Sequence, residues 1–152
     1  MIPEKIKNAF IAYLKENAHR ITNERFLILD AALNIDGHFD ADEVYLRMKN
    51  DYINVSRATV YKTLELMSEC SILTKHNFKG DRTRYETKIG RKPHYHLICV
   101  NCNKIIEFEY PMIEKIQSKV CKENNLKIVD HTFQVFAKCE DAEKCENNKH
   151  LN

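Results

Sequence analysis

The chain has 152 residues, 43% of them hydrophobic and 30% charged, with a net charge of +2, enough for one ordinary domain or two small ones. No run approaches the ~18 apolar residues of a membrane span, and the opening MIPEKIKNAF interrupts with Glu and Lys the apolar stretch a secretion signal needs, so a cytoplasmic protein with no membrane partner is expected. In that reducing compartment six cysteines favour metal over disulfides, and so small a net charge does not by itself identify a nucleic-acid binder.

The distribution of charge says slightly more: residues 1–92 hold 16 Lys/Arg against 13 Asp/Glu, and residues 93–152 hold 8 against 9. The basic excess lies in the first half. Over residues 4–17, Ile6, Phe10, Ile11, Tyr13 and Leu14 recur at helical spacing and predict an amphipathic first helix. Thr22 reads as the N-cap of a second, with Phe26, Leu29, Ala32 and Leu33 on one stripe and a stop before Asp36-Gly37. Asp40 and Glu43 have the spacing of a capping box, opening a third helix through Val44, Tyr45 and Met48. Ser56 caps a fourth, residues 57–70, whose buried stripe is Val60, Leu64 and Met67.

The N-terminal end of that fourth helix presents Arg57, Thr59, Tyr61 and Lys62, which is how a recognition helix offers side chains to the major groove. Two β-rich runs follow, residues 72–78 and 82–87, separated by Lys79-Gly80-Asp81, the pattern of a hairpin. Three helices, a recognition helix and a two-stranded wing make a winged helix-turn-helix over residues 1–87. The same pattern also fits a small helical domain whose polar face is merely solvated.

Residues 88–93, with Gly90 and Pro93 among basic residues, break both periodicities and read as a hinge linker to a second domain, 94–152. There, strands are expected over 94–100 and 105–110, a helix from Pro111 with Ile113, Ile116 and Val120 on one face, and a last strand over 126–137. The overall class is therefore α+β.

The second domain opens with two sets of metal ligands. His94 and His96 are two apart in a β-forming run, so both imidazoles face one side of a strand. Cys99 and Cys102 form a C-x-x-C knuckle, the spacing at which two thiolates grip one tetrahedral ion from a turn. Cys139 and Cys145 supply a second pair, completing the ligand count of a four-cysteine zinc site. The competing reading is free or redox-active thiols, although a redox motif should open a helix after a strand. Cys70 and Cys121 lie in helical patterns and are expected as small core residues.

Taken together, the Arg57–Thr63 segment of the fourth helix, His94-Tyr95-His96, the Cys99/Cys102 pair and Glu107 resemble the ferric uptake regulator superfamily over essentially the whole chain. The resemblance implies a homodimeric, metal-dependent transcriptional repressor, not an enzyme, with an N-terminal winged helix and a C-terminal α/β dimerisation domain, acting on palindromic operator DNA of iron-homeostasis or peroxide-stress genes. It implies structural Zn2+ on Cys99, Cys102, Cys139 and Cys145. It also implies a regulatory Fe2+ or Mn2+, with Zn2+ as an in vitro substitute, held at the hinge by His38, Glu86, His94, His96 and Glu107. Resemblance and helix position nominate Tyr61 and Arg57 as base readers, with Lys15 and Arg20 as backbone or minor-groove contacts.

Two positions point to different branches of that superfamily. Pro93 and Tyr95 stand where many iron regulators have further metal-binding residues, so a third site with Glu107 and His131 is not expected, and Tyr95 resembles the peroxide-sensing branch. Glu107 stands where that branch typically has Asp. Readings from other classes are a zinc hydrolase using His94 and His96 with a carboxylate base, which needs an open coordination position, and a zinc-stabilised interaction module without DNA binding.

Overall fold

The computed structural model describes residues 2–77, 83–88, 90, 94–129, 131–143 and 145. The chain divides into two compact units, Met1–Arg91 and Lys92–Asn152.

The first unit runs α1 (Glu4–Glu16), α2 (Asn23–Leu33), α3 (Ala41–Asn50), α4 (Arg57–Glu69), β1 (Leu73–Asn77) and β2 (Thr83–Thr87). In α1 the residues at i, i+4 and i+8, Ile6, Phe10 and Leu14, are buried, as the helical spacing requires. Thr22 stands at the start of α2 with extended backbone, but its side chain makes no capping bond to the helix; its hydroxyl hydrogen-bonds the Glu24 carboxylate instead. The apolar residues of α2 are not confined to one stripe, and Ile28 is buried alongside Leu29 and Ala32.

Asp40 and Glu43 form the full capping box, each side chain 2.8 Å from the other's backbone nitrogen, and so fix where α3 begins. Ser56 caps α4 by accepting from the Thr59 N–H. Helix α4 is the innermost, burying Val60, Thr63, Leu64, Leu66 and Met67 against Phe10, Leu14, Leu29 and Met48 in one core. Strands β1 and β2 pair antiparallel with Leu73 opposite Thr87 and Asn77 opposite Thr83; the connection expected at 79–81 lies outside the described residues.

The second unit is a three-stranded sheet in the order β4-β3-β5 with one helix: β3 (Tyr95–Cys99), β4 (Ile105–Phe108), α5 (Pro111–Glu123) and β5 (Gln134–Ala137). Strand β4 is antiparallel to β3 and β5 is parallel to it. Pro111 occupies the first turn of α5, where its missing N–H costs nothing. Two expectations are corrected here. The last strand covers only residues 134–137, because the parallel register with five-residue β3 runs from His96↔Gln134 to Cys99↔Ala137 and leaves residues 126–129 and 131–133 without a ladder partner. Cys121, expected as a small core residue, is only half-buried, because helix α5, with Ile113, Ile116 and Val120 along it, buries none of its residues.

Candidate metal centres and nucleic-acid face

The knuckle forms at the end of β3. The Cys99 N–H donates to the Lys104 carbonyl, the Asn103 N–H donates to the Cys99 carbonyl, and Asn103 takes the left-handed conformation (φ 57°) that Asn tolerates well. Parallel pairing of β5 with β3 then carries the chain to Cys139, whose N–H donates to the Asn101 side-chain oxygen. The Sγ atoms of Cys99 and Cys139 are 3.2 Å apart and those of Cys102 and Cys139 3.8 Å, far beyond disulfide bonding. Sulfurs sharing one tetrahedral zinc at ~2.3 Å would lie about 3.8 Å apart. Cys145 joins this group, its thiol hydrogen-bonding Cys102 and Cys139. The Cys102 backbone N–H and the Cys139 thiol hold the Cys99 thiol down, to about 6. The sulfurs of Cys99, Cys102 and Cys139 lie within 4.8 Å of one another with Cys145 hydrogen-bonded to two of them, and such a donor set suits zinc.

Each unit contributes histidine and carboxylate donors. In the first, Phe39 and Tyr85 exchange a pair of backbone hydrogen bonds, 2.9 and 2.7 Å, as an isolated antiparallel bridge. That register sets His38 opposite Glu86, and His38 Nε2 lies 3.4 Å from Glu86 Oε2. On its other side Glu86 pairs with Thr74, whose same-face neighbour two residues on is His76. His76 Nε2 is also 3.4 Å from Glu86 Oε2, and both residues are 2% exposed. Sequence reasoning found His38 and Glu86 but missed His76; the signal was the period of two that puts Thr74 and His76 on one face of β1.

In the second unit His94 immediately precedes β3, and its ring centroid is 5.0 Å from that of His96. His96 stands directly opposite Glu107 on β4, and donor atoms of His94, His96 and Glu107 lie within 4.8 Å of one another. Tyr95 points to the other face, packing on Phe108, Phe133 and His131. Nitrogen and carboxylate donors without a thiolate suit Fe(II), Mn(II) or Zn(II).

The N-terminal end of α4 is solvent-facing. Arg57 stacks over the Tyr45 ring (5.2 Å to the centroid) and lies 3.4 Å from Asp42 on α3. Tyr61, about half exposed, also hydrogen-bonds Asp42, and burial followed by the Asp42 charge raises its phenol. Asp42 was not anticipated as part of this surface. Lys62 reaches Glu65 at 3.9 Å. Thr59 lies 2.7 Å, oxygen to oxygen, from Ser56 and is tied into the helix cap. Lys15 is exposed in the last turn of α1; exposed Arg20 accepts a hydrogen bond on its carbonyl from the Arg25 guanidinium.

Comparison with known proteins bears on this combination. The model of the ferric uptake regulator family matches residues 16–136. The chain belongs to that family. A ferric uptake regulation protein of Campylobacter jejuni is 36% identical over 92% of this chain and 88% of its own length. A peroxide operon regulator of Bacillus subtilis is 30% identical over 97% of this chain and all of its own. Among solved structures, the ferric uptake regulator of Pseudomonas aeruginosa with manganese superposes with a TM-score of 0.72 at 26% identity, covering 86% of this chain and 97% of that one.

As a family member, the chain is a metal-dependent, DNA-binding transcriptional repressor. Its fold is the family's α+β arrangement of a winged-helix domain and a dimerisation domain. Family members are dimeric, and the metals found with them include iron, manganese and zinc. The relatives are regulators rather than enzymes. Among the described residues, no helix is long and apolar enough to cross a membrane.

Proposed function

We propose that this chain acts in the cytoplasm as a homodimeric repressor, binding palindromic operators of iron-uptake or peroxide-stress genes when a regulatory Fe2+ or Mn2+ is present. Cys99, Cys102, Cys139 and Cys145 hold structural Zn2+. His38 and Glu86 of the first unit and His94, His96 and Glu107 of the second hold the regulatory cation jointly, across the linker at 88–93. The bound cation supplies positive charge that relieves the carboxylates and a bond network spanning the linker.

One observation carries this reading: the Phe39–Tyr85 bridge seats His38 against Glu86 on the strand pair that follows α4. Donors for the cation are thus built into the wing itself. Any restraint on Glu86 is a restraint on β2, hence on β1 and on α4, which packs beside β1. Arg57, Tyr61 and Lys62 then meet base edges while Lys15 and Arg20 contact backbone or minor groove; Thr59, held in the cap, reaches phosphate or base from there. A dimer of such units reads two half-sites related by two-fold symmetry, which is why the operator should be palindromic.

Selection of bound sequences from a random DNA pool tests this directly. With Mn(II) or Fe(II) present, an inverted repeat should be enriched; without metal, nothing should. His96→Ala should remove the metal dependence while leaving the zinc content at one per chain. No enrichment with Mn(II), Fe(II) or Zn(II) would sink the reading.

A further inference from the structure

We propose that His76 is itself a metal ligand, and that His38, His76 and Glu86 form a three-donor site complete within the DNA-binding unit. The inference rests on the reading that His38 and Glu86 hold the regulatory cation, and adds to it a residue on the opposite side of the same carboxylate.

Register places these groups. Glu86 on β2 is flanked by His38 across the Phe39–Tyr85 bridge and by His76 diagonally across the hairpin. Both Nε2 atoms lie 3.4 Å from the same oxygen, Glu86 Oε2, and the two rings are 5.2 Å apart. The three donors lie within 4.8 Å of one another.

The spacing discriminates between two roles for His76. Hydrogen bonds from a ring nitrogen to a carboxylate are normally 2.7–3.2 Å, and charge-assisted ones sit at the short end. Donors sharing one cation at bonds of ~2.1 Å lie about 3.0 Å apart at a right angle and about 3.4 Å apart at the tetrahedral angle. Two imidazoles each 3.4 Å from one oxygen match donors turned toward a common centre better than two hydrogen bonds to a single atom. His76 and Glu86 are almost wholly withdrawn from water. Two imidazoles and one carboxylate on one face are the donor set of Fe(II) sites that keep further positions open. Those positions are what His94, His96 and Glu107 would fill.

The consequence is an order of events. The DNA-binding unit binds the cation with its own three donors, and the second unit's donors then complete the coordination.

The test uses the full chain, zinc-loaded, with 15N in its histidine rings and one equivalent of Co(II) as probe. Affinity alone does not distinguish a ligand from a residue that orients Glu86, since losing even an orienting partner costs about 10- to 100-fold. Counting hyperfine-shifted ring signals does. Four imidazoles are expected in the unaltered protein and two in a His94→Gln/His96→Gln variant, which should still bind Co(II). Three and one would overturn the role of His76 and leave the joint site standing. Two in both proteins would retire the joint site and keep His76. A double variant that fails to bind Co(II) at millimolar concentration would overturn the self-sufficient site. The unaltered protein gives the first count without a substitution that could unfold the chain.

Discussion

Tyr13 and Glu69 join the first helix to the last turn of α4, with the phenol donating to the carboxylate at 2.5 Å. That hydrogen bond, with lesser contributions from burial and the Glu69 charge, pushes the phenol up to about 12. The folded state therefore favours protonated Tyr13. Its contribution is fully present below pH ~10, the ordinary tyrosine value, and is lost as pH rises through 12. Spectrophotometric titration should show Tyr13 and Tyr85 ionising together near 12, the latter through burial. Glu69→Gln should return one of them toward 10, and two late tyrosines persisting in that variant would refute the assignment. Among the cysteines, Cys99→Ser should release the zinc and unfold or dissociate the second unit, because a structural zinc contributes on the order of 10–16 kcal/mol in small peptides. Cys121→Ser, at a cysteine outside the thiol cluster, should change neither zinc content nor the thermal transition. Residue chemistry of this kind was legible where spacing alone fixes it, as with Cys99 and Cys102. It was hidden where register decides: His76 gains its meaning only from Glu86 across the hairpin.

At the scale of elements, helices were the more readable because their caps and stripes are local. Asp40, Glu43 and Ser56 begin α3 and α4 where their side chains can bond the first free N–H groups. Asp40→Ala should cost about 1 kcal/mol in urea unfolding, the usual loss for such a cap. The reach of β5 was not readable, since a roughly alternating segment of twelve residues does not reveal that its partner strand offers a ladder of four. Packing of α3 beside α4 also brings Asp42 to both Arg57 and Tyr61, a carboxylate on the surface proposed to face DNA. Asp42→Asn removes one negative charge from that surface, worth roughly severalfold in affinity for DNA near 0.1 M salt. Arg57 keeps its seat over Tyr45. Operator and unrelated DNA should therefore both bind more tightly in a fluorescence titration, with their ratio little changed. Weaker binding to the operator alone would mean that Asp42 positions the two readers.

The whole molecule leaves a large apolar surface unpartnered in one chain. On α5, Met112, Ile116 and Val120 recur every four residues and are each more than half exposed; Ile106 on β4 and Val135 and Phe136 on β5 are exposed as well. The one-sided periodicity read in the sequence is thus a surface stripe in the isolated chain, and since family members are dimeric, a second copy is the cover expected for it. Covering each half-exposed aliphatic side chain stabilises the pair by on the order of 1 kcal/mol. In a two-fold interface each residue counts twice, so one substitution removes two such contacts and adds two buried charges. Ile116→Glu/Val120→Glu should therefore give a monomer by light scattering while the four cysteines still hold zinc. DNA binding should fall with it, since a single half-site lacks the second contact that raises avidity by about 10²–10⁴. Restoring two copies through a short flexible fusion should recover much of the loss without restoring the apolar stripe. If the double variant remains a dimer at micromolar concentration, or binds the operator as a monomer with unreduced affinity, the surface covered by the second copy is not the one carried by α5.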